Sequence, residues 1–230
     1  MPKKLRINWD IEPKLTADEL ASIVPALQAW QLAETSDGKH LIHASTKYAD
    51  KIDDPAYIDA SRLFIKEEQK HGANLGRYLD TIDQPRVKQN WADSLFRQVR
   101  YFNTHMELWT LTVLIVESTA QIFYQTLKDA TNCPLLKQVC TDILIDEAHH
   151  ITFQTERLAL INYGKNPFSR AWRKVAYKCF FYATSCMVWL GYRRLFKAGG
   201  NSFSLYLRKI DLKYKKTLHM ITAPLIMQHA

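Results

Sequence analysis

The sequence contains the pattern Glu-x-x-His twice, each time within a stretch whose apolar residues recur with helical spacing. The copies are Glu68 with His71 in "KEEQKH" and Glu147 with His150 in "DEAHH". On an α-helix, residues three positions apart lie close to one face and one turn apart along the axis. Because a carboxylate that faces an apolar core is costly unless it is paired, the fold must give these side chains a shared partner.

Two further glutamates extend the motif into a repeat. Glu34 precedes Glu68 by 34 residues, and Glu117 precedes Glu147 by 30 residues. Each interval fits one helix, a turn and a returning helix, so that the middles of the helices meet. Glu117 lies inside "LTVLIVESTA" and is difficult to interpret as a surface residue. Glu34 lies beside the poor helix-forming stretch "ETSDGKH", and its alternative interpretation is an exposed acid at a helix end.

The pattern along the chain predicts an all-α protein. Seven glycines and eight prolines are few for 230 residues, which disfavours an all-β fold with many tight turns. Thr16 and Glu19 predict a capping box at the first helix. The expected helices cover about 17–34 with a continuation to 48, 54–79, 94–130 with a bend near Asn103-Thr104, 134–164, 168–198 and 202–222, and a long connection, "DTIDQPRVKQNWADS", precedes the third bundle helix.

The charge distribution divides the chain into two regions. Residues 1–164 contain 18 Lys and Arg against 22 Asp and Glu, whereas residues 165–230 contain 13 Lys and Arg against Asp211 alone. An apolar content of 47% excludes a disordered chain. We therefore expect a bundle domain at 1–164 and a basic helical C-terminal extension at 165–230 that packs on it.

The four glutamates and two histidines are together the ligand set of a dinuclear carboxylate site in a helix bundle. Four carboxylates neutralise two divalent ions in an apolar interior, and imidazole supplies nitrogen donors that suit iron and manganese. The candidate metal ligands are Glu34, Glu68, His71, Glu117, Glu147 and His150.

This pattern resembles the ferritin-like superfamily, and within it the rubrerythrin-type and other di-iron carboxylate proteins. The resemblance covers about residues 17–163, and it implies a four-helix bundle with a long crossover between the second and third helices. It also implies bridging roles for Glu68 and Glu117, with Glu147 competing for the second role. The chain lacks a rubredoxin-like cysteine module and has Ala120 in place of a second acid on the third helix. These departures disfavour a rubrerythrin peroxidase cycle, and the second Glu-x-x-His disfavours iron storage.

The resemblance implies a non-haem di-iron oxidase or oxygenase that activates dioxygen and oxidises an apolar organic substrate. The metal ligands would form the catalytic centre with two iron ions, or with two manganese ions or a mixed pair. An external electron donor is expected, because the sequence has neither a Gly-x-Gly-x-x-Gly motif nor a P-loop. The alternatives are a catalase- or peroxidase-like enzyme, a non-enzymatic iron-binding protein and a metal-free bundle.

Polar residues near the motifs are candidates for orienting the ligands. Asn74 and Gln154 follow the ligand histidines by about one turn, and Tyr124 lies two turns after Glu117. Glu67 and Asp146 directly precede the ligand glutamates. We interpret these two acids as solvated and outward-facing, with orientation of a histidine as the alternative.

The C-terminal extension contains an apolar run from Val175 to Gly191, which at 17 residues is shorter than the roughly 20 needed to cross a bilayer. Cations flank the run on both sides. Packing on the bundle is the leading expectation, and docking on an anionic membrane or an acidic carrier protein is the alternative; nucleic acid is disfavoured and a homodimer is open. The N-terminus lacks a signal-peptide core, and the four cysteines fit buried thiols, so we expect a cytoplasmic protein with optional membrane association.

Overall fold

The protein is all-α, as the sequence predicts. A computed structural model describes residues 6–89 and 105–222, and these residues form seven α-helices and no β-strand. The helices are α1 (Ala17–Glu34), α2 (Lys39–Ile52), α3 (Ala56–Thr81), α4 (Met106–Asp129), α5 (Pro134–Asn162), α6 (Pro167–Ala198) and α7 (Phe203–Thr222). The predicted bend near Asn103-Thr104 and residues 90–94 of the predicted long connection fall outside the described residues.

The first predicted helix is divided in two by the stretch that the sequence marks as weak. α1 begins at the predicted capping box, in which the Thr16 hydroxyl accepts the Glu19 N–H and the Glu19 carboxylate accepts the Thr16 N–H. α1 ends at Glu34, and Gly38 has a φ of 67°, a left-handed conformation that suits glycine. α2 then continues the chain. Glu34 therefore lies at the very end of α1, next to the break.

α1 and α2 lie one after the other along α3 and antiparallel to it. Near the C-terminal end of α1, the Gln31 side chain donates to the carbonyl of Gly72 at 3.4 Å. Further along, the hydroxyl of Ser61 donates to that of Ser45 at 2.9 Å. Together α1 and α2 therefore occupy the place of one long, interrupted helix beside α3.

The two helices that carry Glu-x-x-His are neighbours. α3 packs against α5, while α4 packs along α5 and α2 packs against α4. α1 to α5 thus surround one interior. Side chains from α1, α3, α4 and α5 can meet there, as the spacing of the repeat predicts.

Two apolar clusters fill this interior on either side of the polar motifs. Along α3, Tyr57 and Phe64 belong to one cluster, and Leu75 and Leu79 belong to the other. Along α5, Ile143 precedes the motif in the larger cluster; after the motif, Phe153 lies beside the smaller cluster and Leu158 belongs to the larger one. The Glu-x-x-His motifs therefore lie in a polar layer with apolar side chains on both sides.

α6 and α7 share the larger apolar cluster with the rest of the molecule. Phe181 and Phe196 of α6 and Tyr206 of α7 are buried in it. An ion pair adds to the packing: the Arg173 Nε donates to the Glu107 carboxylate at 2.6 Å, and this carboxylate also accepts from the Tyr177 hydroxyl at 2.7 Å. The inner face of the C-terminal region therefore packs on the other helices. Among the helices described, none has an apolar stretch of the length that a membrane span requires.

The contact between α1 and α3 near the motif depends on Gly72. A Cβ at Gly72 would lie 3.1 Å from the backbone carbon and the Cβ of Glu34. For a Cβ at Gly76, the three nearest heavy atoms all belong to the Arg86 guanidinium. The Arg86 side chain is 47% exposed and can move aside. We expect Gly72→Val to lower the free energy of unfolding by about 1–3 kcal/mol more than Gly76→Val does, because α1 must shift. Urea denaturation followed by circular dichroism measures this difference, and equal losses would contradict it.

Candidate metal centre

The structure brings the six candidate ligands together in the polar layer. They come from four helices: Glu34 ends α1, Glu68 and His71 lie on α3, Glu117 lies on α4, and Glu147 and His150 lie on α5. His71 and Glu147 are fully buried, and the Glu68 side chain is 21% exposed. The cluster is therefore enclosed by helices but lies close to the surface at Glu68.

The donor atoms form two groups that share one residue. Glu34, Glu68 and His71 form the first group, and Glu68, Glu117, Glu147 and His150 form the second; within each group the donor atoms lie within 4.8 Å of one another. Each group has the size of a single metal site.

Glu147 also reaches both groups. Its Oε1 lies 3.7 Å from the His71 Nδ1, and its Oε2 lies 3.6 Å from the His150 Nδ1. Glu68 is the residue shared by both groups, while Glu117 and Glu147 each belong to one of them. From sequence, Glu117 was expected as the second bridging residue with Glu147 competing; this stays a prediction, and the distances from Glu147 to both histidines favour Glu147.

Several donor atoms in the cluster are buried without a hydrogen-bond partner in the described part of the chain. They are Glu68 Oε1, both carboxylate oxygens of Glu147, His71 Nδ1 and His150 Nδ1. A buried polar atom without a partner costs about 1–3 kcal/mol. Five such atoms facing one another fit ligands of metal ions, because a cation would satisfy all of them at once. The donor set, carboxylate oxygen and imidazole nitrogen, suits iron or manganese.

Each ligand histidine is held by an acid from the opposite motif. The His71 Nε2 lies 3.2 Å from the Asp146 Oδ2, and the His150 Nε2 lies 2.8 Å from the Glu67 Oε2. A histidine whose Nε2 donates to a carboxylate keeps its Nδ1 lone pair free for a metal. Both Nδ1 atoms face the cluster, so this exchange across α3 and α5 orients both imidazoles toward it.

Asp146 is in turn anchored by two cations. It pairs with the Lys70 Nζ at 2.8 Å and with an Arg6 guanidinium nitrogen at 2.6 Å. Burial acts to raise the pKa of Asp146, but hydrogen bonds from His71, Lys70 and Arg6 outweigh it and hold the pKa well below the usual range. The carboxylate that orients His71 therefore stays ionised.

The interpretation of Glu67 and Asp146 as outward-facing, solvated acids is wrong for Asp146, whereas Glu67 is exposed as expected and also orients a histidine. Asp146 is buried, and Glu67 contacts His150 although its side chain is 50% exposed. The signal for this role was present in the sequence, since an acid directly precedes the ligand glutamate in both motifs. A single residue step rotates a helix by about 100°, so this acid faces the neighbouring helix and not its own histidine.

The other three candidate residues have different surroundings. The Tyr124 hydroxyl donates to the Glu34 Oε1 at 2.7 Å and is buried, so Tyr124 orients this glutamate. The Asn74 Nδ2 donates to the Asp142 Oδ2 at 3.4 Å, and this carboxylate also pairs with Lys70. Asn74 therefore contacts an acid of the ion-pair network and not a candidate ligand. Gln154 is buried, and its Oε1 has no hydrogen-bond partner among the described residues.

The protonation of the glutamates follows from their burial. Desolvation raises the pKa of Glu34, Glu117 and Glu147 well above the usual range, and neighbouring carboxylates raise it further. Burial acts in the same direction on Glu68, but His150 and His71 outweigh it and lower its pKa. For His150, the attraction of Glu68 and Glu117 overcomes desolvation and raises the pKa to about 9.

Comparisons with protein-family models, with curated proteins and with solved structures find no match for this chain.

The role of Asp146 gives a testable prediction. We expect Asp146→Asn to lower the affinity for a probe metal, Co²⁺, by about 10–100-fold, since the His71 imidazole loses its ionised partner. Asp142→Asn is the matched control, because Asp142 also pairs with Lys70 and Arg6 but does not touch a histidine. Titration followed by visible absorption measures both variants. Equal affinities in the two variants would show that Asp146 is only part of the ion-pair network.

Proposed function

We propose that this chain is a ferritin-like dinuclear iron protein that activates dioxygen and oxidises an apolar organic substrate. The observation that carries the proposal is the set of five unpartnered, buried donor atoms from Glu68, Glu147, His71 and His150. The helices that position them also support it, because a glutamate from each of two helices and Glu-x-x-His from each of two others is the pattern of dinuclear carboxylate bundles.

In this proposal each ligand has a distinct task. Glu68 and Glu147 would help to hold both metal ions, since each contacts residues of both groups. Glu34 and Glu117 would each contribute a carboxylate, and each histidine would supply one nitrogen. When bound, two ferrous ions supply the electrons and the open coordination positions that reduction of dioxygen requires.

The residues around the ligands control protons. The raised pKa values of Glu34, Glu117 and Glu147 favour protonated carboxyls before metal binds, so that loading the site with metal releases protons. The Tyr124 hydroxyl keeps a proton 2.7 Å from the Glu34 Oε1. This proton lies beside the cluster and is shielded from solvent, since Tyr124 is fully buried.

The surroundings of the cluster favour an apolar substrate. Phe64 packs its ring against the His150 imidazole with centroids 4.7 Å apart, and apolar clusters lie on both sides of the polar layer. A polar substrate would lose its hydration on entering these regions without gaining hydrogen bonds. An external reductant would return the metals to the ferrous state after each turnover.

The first test of the proposal is the metal content. We expect protein loaded anaerobically with Fe²⁺ to retain about two ions per chain after desalting. The variant Glu147→Ala/His150→Ala should lose most of this iron, because it removes one bridging carboxylate and one nitrogen donor. Elemental analysis measures the content, and circular dichroism shows whether the chain stays helical.

The control for this variant uses neighbouring residues of the same types. Glu156→Ala/His149→Ala changes a glutamate and a histidine on the same helix; His149 is exposed, and neither residue belongs to the cluster. It should retain wild-type iron. Full iron occupancy in Glu147→Ala/His150→Ala would overturn the proposed metal site.

The second test separates the proposed reaction from its alternatives. We expect the ferrous protein to consume dioxygen in an oxygen electrode in proportion to its bound iron, and the Glu147→Ala/His150→Ala variant to consume little. Rapid destruction of hydrogen peroxide without a reaction with dioxygen would favour a catalase-like enzyme. Uptake of many ions per chain during oxidation would favour an iron-storing protein.

A further inference from the structure

The outer face of α6 is an apolar surface that faces solvent. Phe168 is 85% exposed, Trp172 67%, Val175 54% and Leu190 66%. The exposed Cys179 and Ala183 continue the stripe at helical spacing between Val175 and Leu190. We call this set of six residues the α6 stripe. The expectation of buried packing holds only for the opposite face of α6, and the expectation that Cys179 is buried is wrong.

Cations border the α6 stripe at both ends of the helix. Exposed lysines and arginines on this side are Lys165 and Lys178 toward the N-terminus and Arg193, Arg194 and Lys197 toward the C-terminus. Arg170 and Lys174 lie on the opposite side of the helix, because successive residues are about 100° apart. α6 contains no acidic residue. Within the described ranges, no ion pair is formed by the five cations that border the stripe. The stripe is therefore an apolar surface with a strongly positive rim.

We infer that the α6 stripe docks on an anionic phospholipid membrane, with Phe168 and Trp172 in the interface and lipid phosphates near Lys178, Arg193 and Arg194. Apolar burial and attraction of cations to anionic lipids are the two contributions that hold amphipathic helices in the plane of a membrane surface. The inference stands apart from the proposed metal chemistry, because no residue of the cluster takes part.

The charge pattern favours a membrane over a second copy of the chain. A two-fold interface between two α6 stripes would bring Lys178 and Arg193 of one chain near cations of the other. α6 carries no acid that could pair with them. An anionic bilayer neutralises every cation on the rim at once, and its acyl region accepts the apolar side chains without a matching shape.

The test uses the full chain and sedimentation with vesicles of phosphatidylglycerol or phosphatidylcholine at low salt. We expect binding to phosphatidylglycerol vesicles, weak binding to phosphatidylcholine vesicles, and release at high salt. Phe168→Ser/Trp172→Ser and Arg193→Glu/Arg194→Glu should each lower the partition coefficient by about tenfold or more.

Two matched controls separate the α6 stripe from general surface effects. Leu63→Ser/Leu212→Ser changes two apolar residues that are 62% and 67% exposed on other helices. Lys47→Glu/Lys51→Glu makes the same charge change on α2, where both lysines are exposed. Both controls should bind phosphatidylglycerol vesicles like the wild type. All six altered positions in these controls and in the aromatic pair are on the surface, so urea denaturation should give near-wild-type stability.

Three results would overturn the inference. The wild type could remain in the supernatant with phosphatidylglycerol at low salt. The stripe variants could bind as well as their controls. Finally, sedimentation equilibrium could show a dimer that Phe168→Ser/Trp172→Ser converts to a monomer while vesicles stay unbound, which would make a second copy the occupant of the stripe.

Discussion

The burial of four carboxyl groups and two imidazoles between two apolar clusters is the constraint on which the rest of the structure depends. Repulsion and desolvation would expel ionised acids from such a layer. Both effects raise the pKa of Glu34, Glu117 and Glu147, and both oxygens of Glu147 have no hydrogen-bond partner among the described residues. In the proposed function, a pair of divalent cations would neutralise the acids and satisfy these oxygens together. The helices on either side supply the apolar packing that keeps the layer in place.

Orientation of the histidines depends on contacts between the two motifs. Asp146 of α5 holds His71 of α3, and Glu67 of α3 holds His150 of α5. Each motif therefore completes the other, and α3 and α5 must be in register for either imidazole to face the cluster. Lys70 extends this link by pairing with Asp146 across the two helices. A change that weakens the α3–α5 contact would therefore also disturb the orientation of both imidazoles, and with it the proposed binding of metal.

The C-terminal helices give the molecule an exposed apolar surface on α6. α6 buries Phe181 and Phe196 in the main core and turns Phe168 and Trp172 to solvent on the opposite face. A chain docked through this face would stand beside a reservoir of apolar molecules. If the chain docks on a membrane, an apolar substrate could come from the membrane and enter the apolar surroundings of the proposed metal centre.

The sequence by itself determined the helices and the candidate ligands, because helical periodicity, the Thr16 capping box and the Glu-x-x-His spacing are local properties of the chain. Only the tertiary structure decided which residues lie between the metal positions and which acids orient the histidines. Glu147 and Glu117 differ in how α4 and α5 approach α3, and the contact of Asp146 with His71 joins residues 75 positions apart. The exposed face of α6 was likewise undecided, since an apolar run does not reveal which of its sides the core will cover.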